Sequence, residues 1–174
     1  MASPGELQNQ SEETSDRERP RAASLPFVTK VFASGLFSGF FPAAPGTVGS
    51  AVGLALYFIP GFEAPWFLLP LCVVVFLLGV RASDAMEKTY GHDPPEVTID
   101  EVLGMWISLL FLPKSLLIAG AAFALFRVLD IVKPFPARRL DTMRGGLGIM
   151  LDDIVSAVYT NLVLQFLVAT QVLH

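Results

Sequence analysis

Apolar residues gather in five blocks along the chain, at 48–59, 67–80, 102–112, 115–126 and 154–173. None alternates apolar and polar residues as a half-buried strand would. Long unbroken apolar runs predict helices that are buried in protein or in lipid. Several blocks hold only about a dozen apolar residues, short of the ~20 that cross a bilayer. Tilted, re-entrant and buried core helices are therefore all open. The pattern predicts an all-α, multi-helix integral membrane bundle with short helices, occupying residues 25–174. Residues 1–24 carry Ser, Glu, Arg and Pro and no periodic apolar face. They are expected to be a disordered polar tail, and the chain shows no secretory signal pattern.

Composition strengthens the membrane reading. Mean hydropathy is +0.57. Hydrophobic residues make up 53% of the 174 positions and charged residues only 16%, against a usual charged share of about 25%. The net charge of −4 says little, because acids and bases are segregated along the chain, and nothing in the pattern suggests a nucleic-acid partner. The single cysteine, Cys72, lies inside an apolar run and reads as a packing residue.

Apart from Lys114, Lys and Arg fall in three places: the segment up to Lys30, the stretch 81–88 and the stretch 127–144. All three face the cytoplasm if the apolar pairs between them are hairpins. The hairpin turns would then be 60–65 and 112–114. This topology brings Asp84, His92, Asp93, Asp100, Glu101, Asp130, Asp152 and Asp153 to one membrane face.

Acids beside apolar segments are expensive unless they bind something. Thr98-Ile99-Asp100-Glu101 fits a capping box at the start of a helix. Its two adjacent acids equally allow one to cap while the other holds a cation. Arg127 and Asp130 share a helix face, as a local ion pair or as part of a site. Lys133 precedes Pro134, and Pro136 is expected to keep an extended strap carrying Lys133, Arg138 and Arg139. Gly145-Gly146-Leu147-Gly148 leads into Asp152-Asp153, one acid more than a cap requires. Gly46-Thr47-Val48-Gly49-Ser50 opens the first block, either as a phosphate-accepting helix start or as a capped start in which Gly49 and Gly53 allow close packing. His92 and Asp93 sit in a loop, and an imidazole there is suited to moving a proton.

Taken together, GTVGS, HDPPEVTIDEVLGMW, FRVLDIVKPFPARRLD and GGLGIMLDDIV, in this order and spacing, resemble the phosphatidylglycerophosphatase A family. The resemblance runs from about residue 33 to about residue 163. It implies an all-helical enzyme of the bacterial inner membrane that is Mg²⁺-dependent. Such an enzyme hydrolyses phosphatidylglycerol phosphate to phosphatidylglycerol and inorganic phosphate, with the bilayer and its phospholipid as partners. Asp100, Glu101, Asp130, Asp152 and Asp153 are then the expected metal ligands. Asp100, Glu101, Asp130, Asp153 and His92 are the expected catalytic groups. Thr47, Arg127, Lys133, Arg144 and Gly146 are expected to bind substrate. Two rivals stand beside this reading. A small membrane transporter or scaffold would place acids deep within the apolar blocks, whereas here they lie at block edges. A CDP-alcohol phosphotransferase would need an Asp-Gly-based motif that the chain lacks.

Overall fold

The computed structural model describes residues 25–173, so the tail expected at 1–24 lies outside the described residues. Among the described residues there are seven α-helices and no strand. They are α1 (Phe27–Ala33), α2 (Pro45–Tyr57), α3 (Pro65–Tyr90), α4 (Ile99–Leu109), α5 (Leu116–Val132), α6 (Ala137–Asp141) and α7 (Gly146–Ala169). A short 3₁₀ turn, Ser38–Phe40, joins α1 to α2. Local chemistry sets several boundaries. Pro45 and Pro65 open α2 and α3, where the missing N–H is not needed. Ser115 caps α5 by accepting from the Leu117 N–H. Lys133 ends α5 in a left-handed conformation, φ 48°, directly before Pro134.

Each of the five apolar blocks is a helix, but the helices have different jobs. The α3 and α7 helices, with 26 and 24 residues, are long and apolar enough to cross a membrane. At 1.5 Å per residue they run about 39 and 36 Å, against about 30 Å of bilayer hydrocarbon. The α2 helix, with 13 residues, and α4, with 11, are too short for that. α4 is the core of the molecule. Ile99, Val102, Leu103, Met105, Trp106 and Leu109 are all buried, and α2, α3, α5 and α7 all pack on it. The block at 102–112 therefore faces protein rather than lipid.

Gly49 and Gly53 let α2 approach α4 closely. A Cβ on Gly53 would lie 2.9 Å from the Val102 carbonyl oxygen, and one on Gly49 would lie 2.8 Å from Thr98 Cβ. The packing reading of this pair holds. Trp106 crosses the same seam and donates from Nε1 to the Gly53 carbonyl at 2.9 Å.

The two expected hairpin turns meet at one end of the bundle. Lys114 Nζ donates to Glu63 Oε2 at 2.7 Å and to the Ile59 carbonyl at 3.1 Å. Outward-facing apolar side chains line α3 (Trp66, Leu69, Val73, Leu77), α5 (Leu116, Leu117, Val128) and α7 (Leu162, Phe166), with Trp66 and Leu116 each 80% exposed. A soluble surface rarely carries so much contiguous apolar area.

Two local expectations are overturned. The strap after Lys133 is not extended throughout, because Pro136 caps α6 and Arg138 and Arg139 lie on that helix. Proline in the turn before a helix is compatible with helix geometry, so Pro136 starts a helix instead of preventing one. Thr98 occupies the N-cap position of α4, but its hydroxyl does not cap. It hydrogen-bonds Ser38 Oγ at 2.8 Å, while the Glu101 N–H is satisfied by Asp100 Oδ1 at 3.0 Å.

Candidate active site

A cleft of about 360 Å³ opens among the starts of α2, α4 and α7 and the end of α5. Its walls include Asp93, Asp100, Glu101, Asp130, Asp152 and Asp153, together with Arg127 and Lys133. The six acids arrive from four different parts of the chain. Asp100 and Glu101 stand in the first turn of α4. Asp152 and Asp153 project from the second turn of α7, and Asp130 stands near the end of α5. Asp93 comes from the loop after α3, at φ 44°. Pro45 and Gly46, at the start of α2, close one side. A Cβ on Gly46 would lie 2.3 Å from Glu101 Oε1 and 3.0 Å from Arg127 Nη2, so only glycine leaves this wall open.

The two bases are held by the acids. Arg127 Nη1 lies 2.9 Å from Asp130 Oδ2 and 3.9 Å from Glu101 Oε1. Lys133 Nζ donates to Asp152 Oδ2 at 2.7 Å and also to Asp141 on α6. Burial alone would lower the Lys133 ammonium, but these hydrogen bonds outweigh it and raise it above its ordinary value. Burial pushes the Asp100 and Glu101 carboxyls upward, Glu101 well above the ordinary range; repulsion from nearby acids adds to the shift, while hydrogen bonds from Glu101 to Asp100 and the Arg127 charge beside Glu101 oppose it.

Several buried oxygens have no donor. Glu101 Oε2, Asp152 Oδ1 and Asp153 Oδ2 have no hydrogen-bond partner among the described residues, and neither has Arg127 Nε. An orphaned buried carboxylate oxygen carries its full desolvation penalty. A hard divalent cation, which takes carboxylate oxygens and waters, is the group this donor set fits. Arg127 Nε would equally suit an anionic oxygen.

The expected site residues separate into two groups. Asp100, Glu101, Asp130, Asp152, Asp153, Arg127 and Lys133 converge on the cleft. Thr47 sits half-buried one residue beyond Gly46 and is not part of the cleft wall. His92 and Arg144 line a second cavity of about 550 Å³ with Asp84, Glu87, Lys88 and Gly145. The contacts there are local: Lys88 pairs with Asp84 at 2.6 Å, and His92 Nδ1 hydrogen-bonds Glu87 at 2.6 Å. Gly146 is packed instead against α3, where a Cβ would lie 1.9 Å from the Val80 carbonyl oxygen. Sequence reasoning missed Asp141, the second partner of Lys133. It gave Asp93 less weight than His92, although the two are adjacent.

Two helices long and apolar enough to cross a membrane, and a cleft lined by carboxylates, Arg127 and Lys133, define a class: all-helical proteins with an acid-lined cleft at one end. The chain belongs to the phosphatidylglycerophosphatase A family, whose model matches residues 31–168. It is 38% identical to phosphatidylglycerophosphatase A of Escherichia coli K12 over 141 residues, covering 79% of this chain and 81% of that one. The Haemophilus influenzae Rd enzyme of the same name is 38% identical over 140 residues, covering 76% and 84%. A Bacteroides thetaiotaomicron protein, provisionally named phosphatidylinositol-3-phosphatase, is 40% identical over 142 residues, covering 77% and 89%. No solved structure matches the chain.

Proposed function

We propose that this chain hydrolyses the terminal phosphomonoester of phosphatidylglycerol phosphate, releasing phosphatidylglycerol and inorganic phosphate, with Mg²⁺ as cofactor. In this reading the protein is a multi-pass component of the bacterial inner membrane, with its cleft on the cytoplasmic side. The observation that carries the reading is the set of unpartnered carboxylate oxygens facing Arg127 and Lys133 at one end of apolar helices. A lipid whose acyl chains stay in the bilayer presents its phosphate at that level. Extracting it into water would cost about 0.8 kcal/mol per exposed CH₂.

Asp100, Glu101, Asp130, Asp152 and Asp153 would hold the cation. The chemistry that such a cation would supply when bound is Lewis-acid polarisation of a phosphoryl oxygen and activation of water. Arg127 and Lys133 offset the charge on the remaining phosphoryl oxygens. The oxygen of water bonds to phosphorus as the ester bond to glycerol breaks, and the departing glycerol oxygen takes up a proton. Asp93 stands at the exposed mouth of the cleft, where partial desolvation still pushes its carboxyl upward. It is the acid placed to supply that proton, a role for which His92 faces the wrong cavity.

The test is phosphate release from phosphatidylglycerol phosphate, with Mg²⁺ or with chelator, by the wild type and Asp153→Asn. Wild-type release without any need for divalent cation overturns the metal reading, and no release at all overturns the assignment. A trapped acyl phosphate would replace water with a carboxylate nucleophile. The name of the Bacteroides relative brings a second substrate into the same assay, phosphatidylinositol 3-phosphate.

A further inference from the structure

The cleft contains two overlapping triads of carboxylates. One comprises Asp100, Glu101 and Asp153, and the other Asp130, Asp152 and Asp153. Within each triad one carboxylate oxygen from each of the three acids lies within 4.8 Å of the other two. Asp153 belongs to both.

Two of these acids turn one oxygen toward a base and keep the other without a partner among the described residues. Asp152 gives Oδ2 to Lys133 and leaves Oδ1 unpartnered. Glu101 turns Oε1 toward Arg127 and leaves Oε2 unpartnered. Asp153, only 3% exposed, has no partner for Oδ2. Each triad thus contains buried oxygens with nothing to bind.

Charge makes the same point. Five carboxylates besides the proton-donating Asp93 line the cleft against two basic side chains, Arg127 and Lys133, so with those five ionised as ligands the excess is three negative charges. A phosphomonoester adds up to two more. One divalent cation would leave the cleft anionic before the substrate arrived, and a second would offset the substrate's charge.

We infer that the cleft holds two divalent cations, with Asp153 as their shared ligand. Asp100 and Glu101 complete one seat, and Asp130 and Asp152 complete the other. Three carboxylates per seat, one of them shared, leave room for the waters and phosphate oxygens that Mg²⁺ prefers. Paired metal sites hold their ions about 3.5–4 Å apart, a separation one carboxylate bridges. The inference rests on the phosphatase reading for its purpose, but not for its measurement.

The test uses the full chain in nanodiscs, stripped of metal and titrated with Mn²⁺ while free Mn²⁺ is followed by electron paramagnetic resonance. The wild type is expected to take up two ions per chain, with a dipole-broadened signal at full loading. Asp100→Asn and Asp130→Asn should each hold one ion without the broadening, and Asp153→Asn should hold neither tightly. Thermal unfolding checks each variant. If a variant does not fold, the wild-type stoichiometry and Mn–Mn coupling decide alone. One ion per wild-type chain, or two without coupling, overturns the inference. One ion in a chain that still hydrolyses the lipid overturns it while leaving the phosphatase reading standing. Two coupled ions in a chain that releases no phosphate support it and overturn the phosphatase reading instead.

Discussion

Single residues in this cleft should have separable effects on activity and stability. Asp153 is buried with an unpartnered oxygen. Asp153→Asn should lower phosphate release by ~100-fold or more, the scale of lost metal-assisted charge stabilisation. The metal-free variant should unfold at the same or a higher temperature, because an uncompensated buried charge has been removed. Gly46→Ala should show the same contrast. A methyl there meets Glu101 Oε1 and should raise KM, while helix propensity gains up to about 1 kcal/mol. Asp93→Asn should reduce kcat by about 100-fold, within the range for a general acid, and His92→Gln by less than about tenfold. A kinetic comparison of the two checks the reassignment. The sequence already showed that an acid–imidazole pair stood in that loop. It did not show which of the two would face the cleft, because a left-handed turn at Asp93 separates neighbours only in three dimensions.

At the scale of elements, one contact connects three of them. Glu87, near the end of α3, accepts from the Gly145 N–H at 2.5 Å through one oxygen and contacts His92 Nδ1 through the other. It thereby ties the start of α7, which carries Asp152 and Asp153, to the loop carrying Asp93. Glu87→Gln should lower kcat by about tenfold with little change in KM, since misplacement of an Ångström can cost up to 10²-fold. Amide exchange at 145–148 should rise in parallel, and unchanged exchange would remove Glu87 from this role. The five long helices were legible because unbroken apolar runs announce themselves. α1 and α6 were not, since 7 and 5 residues are too few to show a period. Gly146 looked like part of a ligand loop because its real neighbour, Val80, lies 66 positions away in sequence. The hydroxyl of Thr98 left its expected cap for Ser38, a tertiary contact that no local pattern encodes.

For the molecule as a whole, the bracket formed by Lys114, Glu63 and Ile59 marks one end, and the acid cleft the other. With Cys72 replaced by Ala, a single cysteine at position 114 should react with an impermeant thiol reagent only from outside the cell. One at position 144 should react only after the inner face is opened. Labelling of both from the same side would contradict the proposed topology. The apolar girdle on α3, α5 and α7 also determines what concentration means for such a protein. Seated among lipids, it meets its substrate by lateral diffusion in two dimensions. Its rate then follows the mole fraction of phosphorylated lipid in the surrounding film rather than the amount per litre. Adding inert lipid or detergent at constant bulk substrate would slow it, with no inhibitor present.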